Sequence, residues 1–166
     1  MSFLGKGNEG LMPKRICYIL DQKNRSKLNL RKKRDDSKLL LKSDFEQFDF
    51  DFKNMLCWIY YPNYCFATIV DNKIVSCASA GYHADKNDDS IIDISTVTHR
   101  DYRGKGYAVS NVVALCEYIL EMQAKKEIHY ITDINNIASQ KTALSAGFIE
   151  KRCSYILLRK IMSKLC

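Results

Sequence analysis

Between residues 91 and 122 the apolar repeat changes its period, and that change restricts the possible folds more than anything else in the chain. Ile92, Ile94, Thr96 and Thr98 alternate to one side, as in a strand. Val112, Leu115, Ile119 and Met122 then recur every three or four residues, one face of a helix. Between the two runs stands Arg103-Gly104-Lys105-Gly106, which holds two of the chain's seven glycines. A strand that passes through a glycine turn into an amphipathic helix must return to a sheet, so a layered α/β arrangement follows. The downstream pattern agrees. Residues 128–134 read as a strand, Asn135-Asn136 as an N-cap, residues 137–146 as a helix, Gly147 as its left-handed terminus and residues 148–160 as strand-like.

Upstream, Arg15–Leu20 reads as a strand. Residues 36–56 are ambiguous: Phe45, Phe48, Phe52 and Met55 have helical spacing, whereas Phe48, Phe50 and Phe52 alternate as in a strand. We expect a helix there. Tyr64–Val70 and Lys73–Tyr82 flank Asp71-Asn72, a two-residue turn that closes a hairpin. The expected fold is therefore α/β (α+β), a mixed, mostly antiparallel central sheet with flanking helices. With no internal repeat and no Pro- or Ser-rich linker in 166 residues, one domain over residues 1–166 is expected. No apolar run reaches the roughly 18 residues of a membrane span, and no secretory leader is visible. The seven cysteines form no CxxC pair and stand near no histidine spacing, so neither a zinc site nor a disulfide framework is indicated and a reducing cytoplasm fits best.

The formal net charge of +7 allows nucleic acid, an anionic surface or an anionic cofactor as partner. Much of the excess lies early, and the run Arg31-Lys32-Lys33-Arg34 reads as a solvated loop or turn. No aromatic residue falls between residues 21 and 44, so the stacking surface that a single-strand binder needs is lacking, and nucleic acid is disfavoured.

The glycine segment invites an anion for a physical reason. The first turn of a helix leaves about four backbone N–H groups without intrahelical partners and carries the positive end of the helix dipole. Glycines let the backbone approach an oxyanion closely, and Arg103 and Lys105 add charge. A Walker loop is excluded, because Lys105 is followed by Gly106 and no glycine precedes it at the required spacing. A GxGxxG dinucleotide fingerprint is excluded as well, because Val109 follows where the third glycine belongs. A tight turn with no ligand remains the alternative.

Arg103-Gly104-Lys105-Gly106-Tyr107-Ala108 matches the Q/R-x-x-G-x-G/A signature of the GNAT superfamily of acetyl-CoA-dependent N-acyltransferases. The longer string DISTVTHRDYRGKGYA, residues 93–108, resembles one bacterial branch of it, and NIASQKTALSAGF, residues 136–148, resembles its downstream Asn-x-x-Ser…Gly-Phe helix. The similarity covers residues 55–150, with a divergent part over residues 1–50. It implies a sheet whose central strand and next strand splay into a V-shaped opening for the cofactor. Backbone groups around Val97 and Thr98 would then pair with the pantetheine arm. The amides of Arg103, Gly104, Lys105, Gly106, Tyr107 and Ala108 would hold the pyrophosphate, and Asn136 would contact the pantetheine side, a role compatible with a plain N-cap.

The reaction implied is direct attack of an amine, of a small molecule or a protein, on the thioester of acetyl-CoA. Asp93 stands where relatives carry a glutamate on the central strand and is the candidate base; an exposed strand acid or salt-bridge partner is the alternative. The tyrosine that many relatives place four residues before the glycine of the later helix is Ala143 here, so no residue inherits the acid role, although Tyr107, Tyr155 or solvent could serve. A degenerate acyl-CoA-binding protein is thus a second reading. His99 is assigned to loop structure or phosphate contact, His83 and His129 carry no motif, and Cys77, Cys116 and Cys153 read as core fillers. Acidic Asp85, Asp88 and Asp89 weakly suggest a cationic acceptor.

Overall fold

The computed structural model describes residues 15–41, 44, 64–82, 90–123 and 126–151. Seven strands form one sheet: β1 (Arg15–Leu20), β2 (Ser37–Leu40), β3 (Tyr64–Val70), β4 (Lys73–Tyr82), β5 (Ile91–Thr98), β6 (Glu127–Asp133) and β7 (Ile149–Lys151). The two longer α-helices among the described residues are α1 (Tyr107–Met122) and α2 (Ile137–Ala146). The spatial order is β2-β3-β4-β5-β6-β1-β7. Every neighbouring pair is antiparallel except β5 and β6, which are parallel. Parallel neighbours cannot be joined by a tight hairpin, and α1 is the crossover that joins them.

The β3–β4 hairpin turns at Asp71 and Asn72, both at positive φ (48° and 62°), as a turn that follows the sheet twist requires. Alternation then sorts the sheet into two faces. Tyr18, Leu20, Phe66, Ala78, Ala80, Ile94, Ile128 and Tyr130 meet Val112, Leu115, Cys116 and Ile119 of α1 and Ala143, Ala146 and Phe148 at the end of α2. Complete burial of an aliphatic side chain such as Leu115 or Ile119 contributes about 1.5–3 kcal/mol. On the other face Leu40, Cys65, Ala67, Ile74 and Cys77 form a second cluster, against which Val97 packs. Cys77 and Cys116 are buried, in keeping with core fillers; burial pushes the Cys116 thiol up.

One polar side chain in the α1 interface explains itself. Asn111 is fully buried; its Oδ1 accepts from Thr68 Oγ1 at 3.3 Å and its Nδ2 donates to the Ser76 carbonyl at 3.2 Å. A buried amide so partnered pins α1 to β3 and β4 in one register.

One expectation is corrected. The helix expected from residue 36 does not begin there: residues 37–40 form β2, because their backbone pairs with the outer edge of β3 and Leu40 fills the second cluster. The phenylalanines that suggested helix, at residues 45, 48 and 52, lie outside the described residues. The terminal strand is observed over Ile149–Lys151, on the outer side of β1, and residues 152–160 lie outside the described part. Residues 83–89, with their acidic side chains, do so too.

Candidate functional site

β5 and β6 pair only over residues 91–94 and 127–130, the last partners being Ile94 and Tyr130. β5 continues to Thr98 against β4, and β6 continues to Asp133 against β1. The two strands therefore part after Ile94, and one edge of each faces a wedge. Which groups point into it follows from the alternation of an antiparallel pair. The Val97 carbonyl lies on the β4 side, accepting from Ser76 Oγ at 3.2 Å, and the next amide, that of His99, also turns to β4 and donates to the Val75 carbonyl at 2.8 Å. Thr96 and Thr98 then direct their backbone groups toward the wedge, where the Thr98 carbonyl accepts from Arg103 Nε at 3.2 Å. Of the expected pair Val97 and Thr98, only Thr98 faces the wedge through its backbone. Thr96, for which the sequence carries no signal, does so as well, and only the strand register reveals it.

The wedge opens toward the glycine loop. Gly104 and Gly106 lie at φ +76° and +84°, in the left-handed region, and a Cβ built on either meets nothing within 4 Å. These glycines are required by backbone conformation rather than by crowding, and the space above each remains open. Gly106 is the N-cap of α1, and no side chain among the described residues caps it. The first intrahelical bond is from Ser110 N to Gly106 O at 3.0 Å, which leaves the amides of Tyr107, Ala108 and Val109 as the helix's open donors. By contrast, α2 is capped: Asn136 Oδ1 accepts from Ser139 N at 3.1 Å.

The charges around this loop are held in place. Lys105 Nζ lies 4.7 Å from the centroid of the Tyr102 ring, a cation–π contact. Arg34 stacks over Tyr107 at 4.8 Å, and its Nη1 is 3.5 Å from the Lys105 carbonyl. Its backbone N–H donates to Ser110 Oγ at 2.9 Å, and its guanidinium makes a fork with Asp36. Lys33 pairs with Glu117 of α1. The early basic run, expected as a solvated loop or turn, consists of exposed short turns, yet its last two residues dock on α1, Lys33 at Glu117 and Arg34 beside the glycine loop. Seventy-odd residues separate Arg34 from Tyr107, and no local pattern signals that contact. His99 behaves as a loop residue: its Nδ1 accepts from Asp101 N at 3.4 Å.

Asp93 lies near the closed end of the wedge, one residue before the last β5–β6 pair and on the face opposite Ile92 and Ile94. Directly across from it on β6 is His129, whose Nδ1 is 3.9 Å from Asp93 Oδ1. His129 Nε2 is 2.5 Å from Glu127 Oε1, and Lys151 Nζ is 3.2 Å from the same oxygen. Burial pushes the Glu127 carboxyl up, but the hydrogen bonds and charges of His129 and Lys151 outweigh it and hold the group below its usual range. His129 had no motif to announce it; cross-strand register alone brings it to Asp93. Ala143 is fully buried in the core. Tyr107 carries Arg34 on its ring, and Tyr155 lies outside the described residues.

The family model of the acetyltransferase (GNAT) domain matches residues 38–149. No curated protein matches the chain. Among solved structures, an acetyltransferase of the GNAT family from Colwellia psychrerythraea superposes with a TM-score of 0.63 at 17% identity, over 84% of this chain and 53% of that one. A GCN5-related N-acetyltransferase-like protein from Streptococcus suis superposes at 0.57, with 17% identity, over 87% and 61%. The aminoglycoside N-acetyltransferase AAC(6')-Iy in complex with CoA does so at 0.54, with 16% identity, over 72% and 96%. The chain thus spans between half and two thirds of the first two proteins, and these likenesses establish the fold. With a seven-stranded, mostly antiparallel sheet that parts at β5 and β6 and a family model matched from β2 to β7, the chain belongs to the GNAT acetyltransferase family.

Proposed function

We propose that the protein is an N-acetyltransferase that moves an acetyl group from acetyl-CoA to a primary amine. One observation carries this reading: the wedge between β5 and β6 leads to a helix that starts on a left-handed glycine with no side-chain cap. Open space over Gly104 and Gly106, free first-turn amides and the flanking Arg103, Lys105 and Arg34 suit a pyrophosphate in size, donors and charge. Backbone groups of Thr96 and Thr98 would bind the pantetheine arm as an added strand. Asn136, already the cap of α2, would contribute its amide on the opposite side of the wedge. Acetyl-CoA supplies the activated acyl group as a thioester.

Asp93 would accept the proton that an ammonium substrate must lose before its nitrogen can attack. An extended bound arm ends at the closed end of the wedge, and Asp93 lies beside that end. This gives the carboxylate a reason to occupy the middle of a sheet. A single domain working in a reducing cytoplasm accords with the buried cysteines Cys17, Cys65, Cys77 and Cys116, and no helix among the described residues is long and apolar enough to cross a membrane.

Ala143 keeps a second reading alive, an acyl-CoA-binding protein with little turnover, because a buried methyl cannot protonate a departing thiolate. Titration calorimetry with acetyl-CoA, followed by thiol release in the presence of a panel of primary amines, separates the two. Binding with turnover supports the transferase; binding without turnover on any amine supports the second reading. No binding at all removes both.

A further inference from the structure

The guanidinium of Arg34 uses each of its parts once. One edge, Nε and Nη2, forms the fork with Asp36 at 3.0 and 2.7 Å. The flat face lies over Tyr107, 4.8 Å from the ring centroid. The arm left over, Nη1, lies 3.5 Å from the Lys105 carbonyl. Charge alone does not account for this arrangement, because Asp36 offsets part of the charge that it holds in place. The backbone of the segment is anchored as well. Arg34 N–H donates to Ser110 Oγ at 2.9 Å, the hydroxyls of Ser37 and Ser110 are 2.5 Å apart, and Lys33 pairs with Glu117. Ser110 is itself fully buried, so residues 33–37 are fixed to the start of α1 at several points.

What the arm at Lys105 controls follows from the planarity of the peptide group. In a trans peptide the C=O and the N–H point in opposite directions. Holding the Lys105 carbonyl toward Arg34 therefore turns the Gly106 N–H away from it, and no described residue accepts from that N–H. Gly106, at φ 84° and ψ 0°, has the dihedral angles of the third residue of a type II turn. Were the Lys105–Gly106 peptide to turn over, Gly106 would take the type I values at negative φ, which a glycine adopts as readily. The glycine thus does not choose between the two orientations. The contact with Arg34, 71 residues away in the chain, does.

We propose that Arg34, held by Asp36, is a positioning residue that fixes the Lys105–Gly106 peptide in the orientation that presents the Gly106 N–H to the pyrophosphate of acetyl-CoA. This inference rests on the placement of the pyrophosphate under the transferase reading above. Arg34 acts through the loop backbone, so the donors are in place before the cofactor arrives. Without it the loop divides between two orientations, and the apparent affinity falls in proportion to the fraction that remains competent. A lysine cannot substitute, because an ammonium has no planar fork with which to hold a carboxylate, a ring and a carbonyl together.

Titration calorimetry with acetyl-CoA and the 15N-amide spectrum of the full chain test this. Charge and positioning predict opposite signs for Asp36→Ala. If the segment works by charge alone, removing a carboxylate near an anion site tightens binding. If it works by positioning, the fork loses its anchor, acetyl-CoA binds about tenfold more weakly and the Gly106 amide resonance moves. Arg34→Lys keeps the charge yet weakens binding to the same extent, while kcat in thiol release at saturating acetyl-CoA stays at the wild-type value. Tighter or unaltered binding by Asp36→Ala, near-wild-type affinity in Arg34→Lys, or a Gly106 amide that stays in place overturns the positioning role and leaves the cofactor site standing. A wild type that binds no acetyl-CoA removes both. The Arg34 and Asp36 side chains are 46% and 38% exposed, so both variants keep the fold, which urea denaturation checks; should one fail to fold, the other decides.

Discussion

Gly106→Glu separates what the glycine loop does for stability from what it does for binding, because the two effects differ in size and in cause. Gly106 lies at φ +84° with nothing within 4 Å of a built Cβ, so a side chain there meets strain but no collision. Forcing a residue with a Cβ into the left-handed region costs about 1–2 kcal/mol. A carboxylate at the N-terminus of α1 recovers about 0.3–1 kcal/mol from the helix dipole, and the net loss of stability is about 1 kcal/mol. Binding is affected much more. A new negative charge about 6 Å from a pyrophosphate charge, at an effective dielectric near 20, opposes binding by about 3 kcal/mol, or about a hundredfold in Kd, before any steric exclusion. The assay is urea denaturation beside titration calorimetry with acetyl-CoA. A folded Gly106→Glu variant that binds acetyl-CoA within a few-fold of wild type would refute the placement of the pyrophosphate on this loop.

Gly147→Ala gives the opposite pattern: φ is +105° and a Cβ would stand 2.0 Å from the Lys27 carbonyl oxygen, a backbone atom, so strain and overlap together cost about 3 kcal/mol or more in urea denaturation, while any folded fraction binds acetyl-CoA normally. Asn136→Ala loses about 1 kcal/mol with the cap of α2, whereas Asn136→Asp keeps the cap oxygen; if the amide also holds pantetheine, both variants bind acetyl-CoA several-fold more weakly, and wild-type affinity in Asn136→Asp would show that the residue only caps. The depressed carboxyl of Glu127 contributes stability that is present above the unfolded value, near pH 4.3, and lost as pH falls through the lower folded value. Acid denaturation should therefore show Glu127→Gln less stable than wild type at neutral pH, with the gap closing below about pH 4; a gap that persists at lower pH contradicts the ion-pair account.

Arg34 bears on how the basic N-terminal segment is understood. Its contacts with Tyr107, Ser110 and the Lys105 carbonyl place a guanidinium at the mouth of the loop, with Asp36 holding the fork in position. A docked arginine of this kind raises the local positive potential where an anion would enter, so the net charge of the chain has a location as well as a magnitude.

The sequence by itself determined the parts that rest on short-range chemistry. Period-two alternation placed β3, β4 and β5, the Asp71-Asn72 turn joined a hairpin, and the Gly106 and Gly147 positions bounded α1 and α2, because backbone propensity and side-chain period act over a few residues. It failed at residues 37–40, where the pairing of an edge strand with β3 outweighed a nearby helical spacing. Tertiary structure alone decided the rest. Where β5 and β6 cease to pair determines that Thr96 and Thr98, not Val97, face the wedge. The register of two strands more than thirty residues apart brings His129 to Asp93, and the docking of residues 30–37 on α1 brings Arg34 to the glycine loop. Such contacts depend on long-range packing, in which a residue's neighbours are set by the geometry of the whole sheet and leave no periodic trace in the chain.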